Sequence, residues 1–164
     1  MAGLHDYLAW IEASALGHFM RESGAWTYAV VNLAHILGVA SLFGAVLILD
    51  LRLLGVWPQT PLASLADVAS SVAAVGFGLA VTSGVGLLSS NATDYVNNPF
   101  IYIKFPAVAL GFVNAMLVRR SRAWTARHAR ELSPKEQRQL AWMGGASLAC
   151  WLTAITAGRM IGYW

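Results

Sequence analysis

Four long apolar stretches limit what this chain can fold into. Residues 25–49, about 65–88, 100–118 and about 140–162 are each close to or above the roughly 20 residues that a helix needs to cross the hydrocarbon core of a bilayer. Inside lipid, backbone N–H and C=O groups have to be satisfied within the protein, which favours helices. The sequence therefore predicts an all-α fold: an integral membrane four-helix bundle over residues 25–164, preceded by a short amphipathic interfacial helix within residues 1–24. Composition points the same way. Hydrophobic residues make up 57% and charged residues 12%, with mean hydropathy +0.57, whereas soluble domains carry about 25% charged residues.

The charges that remain are unevenly placed. Seven of the eleven Lys and Arg residues lie between Arg119 and Arg138, joining the third and fourth stretches. A basic loop beside a spanning helix is a topogenic signal, not a nucleic-acid footprint, so no nucleic-acid partner is expected. The positive-inside rule puts this loop in the cytoplasm. By alternation, residues 50–64 are also cytoplasmic, and residues 89–99 and both termini face the opposite side, which is the periplasm if the membrane is a bacterial inner membrane. The N-terminus has no basic region followed by an apolar core and a small-residue cleavage site, so no cleaved signal peptide is expected. The single Cys150 cannot form a disulfide within the chain.

Leu4, Leu8, Ile11, Leu16 and Met20 fall near helical spacing, with His5, Asp6, Glu12 and His18 between them. This pattern predicts one amphipathic helix in the outer interface over residues 4–20, ended by Ser23-Gly24. Ser133-Pro134-Lys135-Glu136 has the form of a capping box that starts the fourth helix. Trp26, Tyr28, Tyr95, Tyr102, Tyr163 and Trp164 mark the outer aromatic belt, and Trp57, Trp124 and Trp142 the inner one. Gly38, Ser41, Gly44, Gly76, Gly78, Gly84, Gly86 and Gly144-Gly145 give the helices small faces for close packing.

Chemistry has few places to sit. His35 is the sole His, Asp, Glu, Lys or Arg between Glu22 and Asp50, in the middle of the first apolar stretch. An imidazole at that depth is a functional-site hypothesis by default. Tyr28, Asn32 and His35 are spaced four and three apart and share one helix face. Lys104 lies about one turn inside the third helix, and Thr156 and Arg159 share a face near the end of the fourth. Two readings of this set compete. In the first, Lys104 and Arg159 reach back to the headgroups, and His35 is a neutral ring bonded to Asn32 or a facing carbonyl. In the second, His35 is the metal ligand of a b-type haem, Lys104 and Arg159 neutralise its propionates, and Asn32 and Tyr28 line the same pocket. The haem is then five-coordinate, or takes a second axial ligand from His18, from a second subunit, or from Met116, Met143 or Met160. Copper is the alternative cofactor, but the five Met residues are scattered and show no closely spaced binding pattern.

Other polar residues have plainer readings. Asp50 and Arg52 pair with each other or, the favoured reading, anchor the end of the first helix to headgroups, Asp67 sits favourably at the start of the second, and Asn114 bonds between helices. His128 is a solvated loop residue, and Pro106 bends the third helix. The sequence contains no phosphate loop, nucleophile–base pair or paired catalytic carboxylates; nothing in it suggests a hydrolase, and it leaves open whether the chain is an enzyme.

Leu33-Ala34-His35-Ile36-Leu37-Gly38, Leu49-Asp50-Leu51-Arg52-Leu53-Leu54-Gly55, Asp94-Tyr95 with Asn98-Pro99, Lys104, and Gly158-Arg159-Met160-Ile161-Gly162-Tyr163 resemble an uncharacterised family of small bacterial four-helix membrane proteins. More distantly, the stretch from His35 through Phe43-Gly44 to Arg52-Leu53 is similar to the first helix of HemJ-type protoporphyrinogen oxidases. That resemblance implies haem-linked roles for His35 and Lys104. Leu42, Leu49 and Asp50 stand where that family has a Trp, a Leu-Pro pair and further aromatic residues, so it implies a haem site more than the oxidase activity. Thr82-Ser83-Gly84 through Lys104 is similar to the membrane domain of copper-resistance D (CopD) proteins, which implies metal handling or transport without haem. The expected partners are the lipid bilayer with other membrane redox proteins or a second copy of the chain; a structural subunit of a larger complex is the third reading.

The topology can be tested without reference to any cofactor. A cysteine introduced by Asp94→Cys should react with a membrane-impermeant thiol reagent from the periplasmic side; labelling from the cytoplasmic side would reverse the assignment.

Overall fold

The computed structural model describes residues 2–164; Met1 and the side chains of Ala2 and Leu4 lie outside the described residues. Secondary structure among the described residues is helical throughout. The helices are α1 (Ala2–Glu12), α2 (Ala15–Glu22), α3 (Gly24–Leu53), α4 (Leu62–Ser90), α5 (Pro99–Arg120), α6 (Arg122–Ala126) and α7 (Pro134–Met160), with 3-10 turns at Ala92–Tyr95 and Ile161–Tyr163. Four of them, α3, α4, α5 and α7, are long and apolar enough to cross a membrane. The 30 residues of α3 correspond to about 45 Å at 1.5 Å per residue, more than the roughly 30 Å hydrocarbon core requires.

Local chemistry sets the helix boundaries. The amphipathic segment is two helices, not the single one expected over residues 4–20. Ser14 leaves helical geometry and its side chain accepts the Gly17 N–H, starting α2 afresh. Gly24 has φ +80° and Gly55 has φ +98°, backbone positions that favour glycine and let the chain turn at both ends of α3. Pro99 opens α5, where its missing N–H costs nothing. At the start of α7 the expected capping box is complete: Ser133 and Glu136 satisfy each other's backbone N–H groups, with Pro134 as the first helical residue.

The chain divides into two compact units, Met1–Leu42 with Ala74–Pro99 and Phe43–Ala73 with Phe100–Trp164. In the first, α3 and α4 meet backbone to backbone. A Cβ on Gly38 would lie 2.6 Å from the Ala80 nitrogen, and one on Gly76 would lie 2.5 Å from the Leu42 nitrogen and 2.8 Å from the Gly38 oxygen. Gly17 of α2 is equally pressed, with Ser89 O at 2.8 Å from its would-be Cβ. Glu12 fixes α1 by accepting hydrogen bonds from Thr93 N (2.9 Å) and Thr93 Oγ1 (2.8 Å). Arg21 donates to Glu12 O (2.9 Å) and Ser90 O (3.3 Å), tying α2 to the end of α4.

In the second unit the four long helices share one core. Leu53 of α3, Ala66 of α4, Val118 of α5, Ala123 and Trp124 of α6 and Leu140 of α7 are buried together. Trp124 is therefore a core residue and not part of an aromatic belt; its indole lies under the Arg127 guanidinium, 4.3 Å from the ring centre. The Asn114 amide bridges α5 and α7 as expected, donating to Met143 O (3.0 Å). Gly111 accommodates the Trp151 indole, and Gly144 accommodates Leu53 and the Asp50 carbonyl. Gly44 and Gly78 face open space, so the small-residue pattern marks more positions than the packing uses.

The glycines provide a matched test. Gly38→Ala and Gly76→Ala place a methyl against backbone that no rotamer change can move, a kind of overpacking that typically costs about 1–3 kcal/mol. Each should lower the unfolding midpoint in detergent. Gly78→Ala, with nothing within 4 Å of its Cβ, should leave the midpoint unchanged or raise it through better helix propensity.

Candidate functional site

In the first unit, His35 is half-buried against α4. Its Nδ1 is 2.9 Å from Ala80 O and 3.3 Å from Ser83 Oγ. A carbonyl oxygen can only accept, so Nδ1 carries the proton in this contact; when the ring is neutral, this tautomer has its lone pair on Nε2. Gly84 makes room for the imidazole: a Cβ there would lie 3.1 Å from His35 Cε1 and 3.3 Å from Nδ1. Ser83 in turn donates its hydroxyl to Leu79 O. A structurally satisfied histidine makes this bond to a facing carbonyl. A metal-ligating histidine makes the same bond, through which the second nitrogen is oriented and made more basic.

Tyr28 and Asn32, on the same helix, are exposed. Tyr28 lines a shallow open depression of about 250 Å³ with Met20, Arg21, Gly24, Ser90 and Asn91. Tyr95 lies nearby. Burial, with Tyr28 and Asp94 adding to it, holds its phenol above the ordinary value.

In the second unit, Lys104 of α5 runs along Gly158 of α7; a Cβ on that glycine would lie 3.4 Å from the Lys104 Cε and Nζ. The neighbouring Arg159 is exposed. It donates to the Tyr163 hydroxyl and stacks its guanidinium 4.6 Å from that ring's centre. Two cations therefore occupy the same end of α5 and α7. Among the described residues neither is ion-paired with a carboxylate. Thr156 lines a second open depression, of about 300 Å³, with Phe100, Ile103, Leu152, Thr153 and Ala157.

Three polar residues depart from the expectations drawn from sequence. Asp50 does not anchor a helix end at the surface. It is 3% exposed and lies beside Ser147 of α7, while Arg52 turns away to Thr60 O (2.8 Å) and Pro58 O (3.1 Å). Asp67 lies beyond the first turn of α4 and pairs with Arg127 (2.7 Å) and His128 (3.3 Å). His128, half exposed, thus sits beside the Asp67–Arg127 pair at the surface. The signal for Asp50 was present in the sequence: it lies four to five residues before Leu54-Gly55, inside the helix and not beyond it. Its partner Ser147 carried no mark of its own. Among the described residues, no three His, Cys, Asp or Glu side chains gather as a metal site would require.

The chain belongs to the family of unknown function DUF6644, whose model matches residues 7–164. No curated protein and no solved structure matches it.

The Glu12 contact responds to pH in a defined direction. The Thr93 backbone and hydroxyl bonds, with Arg21 nearby, hold the Glu12 carboxyl below its ordinary value of 4.5. A carboxyl lowered on folding contributes stability that is present above its unfolded value and lost as the pH falls through its folded value. Amides of α1 should therefore be well protected at neutral pH, and their protection, measured against the intrinsic exchange rate at each pH, should be lost once the pH drops below 4.5. In Glu12→Gln, α1 should already exchange faster at neutral pH and lose this acid step.

Proposed function

We propose that the protein binds a b-type haem in the membrane through Nε2 of His35 and acts in electron transfer alongside other membrane redox proteins. The observation that carries this reading is the Nδ1–H bond to Ala80 O at 2.9 Å, which fixes the tautomer that a haem or metal ligand needs. The surroundings of His35 suit the role. Gly84 lets the ring lie against α4, and Ser83 is a second hydrogen-bonding group on the same nitrogen, placed to influence ring basicity. Haem bound there would supply one-electron chemistry, with its potential set by the axial ligand and the hydrogen bonds around it. Lys104 and Arg159 are cations without a carboxylate partner among the described residues, the type of group that propionates require. The resemblance of His35 and Lys104 to HemJ-type positions adds support. The basic Arg119–Arg138 segment favours an inner-membrane location with that loop in the cytoplasm.

An absorption spectrum of protein purified from haem-replete cells tests the proposal. A Soret band with reduced-minus-oxidised bands of a b-type haem is expected, and His35→Ala should abolish both. Ser83→Ala should retain haem but shift the midpoint potential. Lys104→Gln and Arg159→Gln should each weaken haem retention without abolishing it. A folded, colourless preparation overturns the haem assignment and leaves metal uptake as the activity to measure.

A further inference from the structure

Asp50 is the buried acid that the haem reading does not use. It sits in α3 one turn before the helix ends at Leu53, with 3% of its surface exposed. Beside one carboxyl oxygen lies the hydroxyl of Ser147, itself 7% exposed. The other, Oδ2, is fully buried and has no partner. Around it α3 and α7 are closely apposed: a Cβ on Gly144 would lie 3.3 Å from Asp50 O and 3.1 Å from Leu53 Cβ.

The charges on the surrounding helices are engaged elsewhere or exposed. Arg52 on the same helix is held by the Pro58 and Thr60 carbonyls. On α4, Asp67 is paired with Arg127 and His128. On α5, Arg119 and Arg120 are exposed and Asn114 gives its amide to Met143 O. On α7, Lys135 and Arg138 are exposed, and Glu136 is taken by Arg130. Among the described residues no cation forms an ion pair with Asp50. A buried carboxylate without a counter-ion, and with one oxygen wholly unsolvated, is far more costly than the neutral acid.

We propose that Asp50 and Ser147 form a proton-binding site. At neutral pH the carboxyl is held in the folded protein as the neutral acid. It ionises when the α3–α7 seam opens, with the proton passing to water at the residue 54–61 loop and the negative charge remaining on Asp50. An acid kept within a spanning helix, one turn from an exposed loop, is suited to taking up and releasing a proton at one face of the membrane. The assignment is independent of haem binding.

Infrared difference spectroscopy on the full chain in lipid vesicles tests it. At neutral pH the wild type should show a carboxylic-acid C=O band that shifts in D2O and is missing from Asp50→Asn. In Ser147→Ala the band should persist and move to higher frequency, because a hydrogen bond is lost. If Asp50→Asn does not fold, the Ser147→Ala shift decides alone. A wild type without the band overturns the proposal. So does a band that vanishes at fixed pH when sodium replaces a bulky organic cation, since the site would then take an alkali ion. Thermal unfolding gives a second readout. The folded state keeps a proton that the unfolded chain releases, so Asp50 should make stability fall as pH rises. Asp50→Asn should remove that component of the pH dependence and be at least as stable as wild type at alkaline pH. A variant with unchanged pH dependence counts against the site.

Discussion

The contact between the α3 and α4 backbones is the constraint on which the rest of the first unit depends. In lipid, apolar side chains gain nothing by leaving their surroundings for one another, so helices associate through close packing and specific polar bonds. Gly38 and Gly76 supply that packing by removing the side chains that would hold the backbones apart. The same closeness puts the Ala80 carbonyl within reach of a histidine one turn away. An i→i−4 bonded carbonyl still has a second lone pair, and His35 donates to it. The packing glycines and the candidate ligand are therefore parts of one arrangement. A bulkier residue at 38 or 76 would also move the His35 hydrogen bond.

Much of the architecture could be read in the chain because its physical causes are local. A spanning helix needs length and apolarity, and both are visible residue by residue; the four long helices accordingly appear where expected, extended by a few residues to their caps. The Ser133–Glu136 box is likewise complete within four residues. The break at Ser14 was harder to see, since the apolar periodicity continues across it and the cap competes with that pattern over a single turn. Trp124 was misplaced for a different reason. An indole suits both an interface and a core, and only the short α6, which folds it against Leu53, Ala66 and Leu140, decides between them.

The site was legible in its residue types and not in its pairings. His35 stands out from sequence alone, whereas the partners that give it a tautomer, Ala80 and Ser83, lie 45 and 48 residues away and include a backbone carbonyl that no sequence pattern can mark. The polar stripe with Tyr28 and Asn32 was a weaker guide. A shared face fixes direction relative to the helix axis but not which neighbour covers that face, and α4 covers His35 while Tyr28 and Asn32 are exposed. Asp50 shows the reverse error. Proximity to a helix end suggested headgroup anchoring, yet burial depends on what packs beside the end, and there Gly144 and Ser147 of α7 close over it.

His35 and Asp50 are two polar groups on one membrane helix with opposite solutions. The imidazole meets a carbonyl at 2.9 Å and has a hydrogen-bond partner for its Nδ1–H. The carboxyl meets one hydroxyl and leaves an oxygen unsatisfied, which an apolar residue of similar size would avoid entirely. Replacing buried polar groups with well-packed apolar ones is often neutral or stabilising, so packing gives no account of an acid at this position. The proton is the smallest ligand that relieves the mismatch, and it can do so without enlarging the tight α3–α7 seam. A one-electron centre that changes charge inside a membrane is stabilised by an accompanying proton, because the net change in buried charge is then smaller. A helix carrying both a candidate ligand and a candidate proton site is consistent with that pairing, while each assignment stands or falls on its own spectroscopic signature.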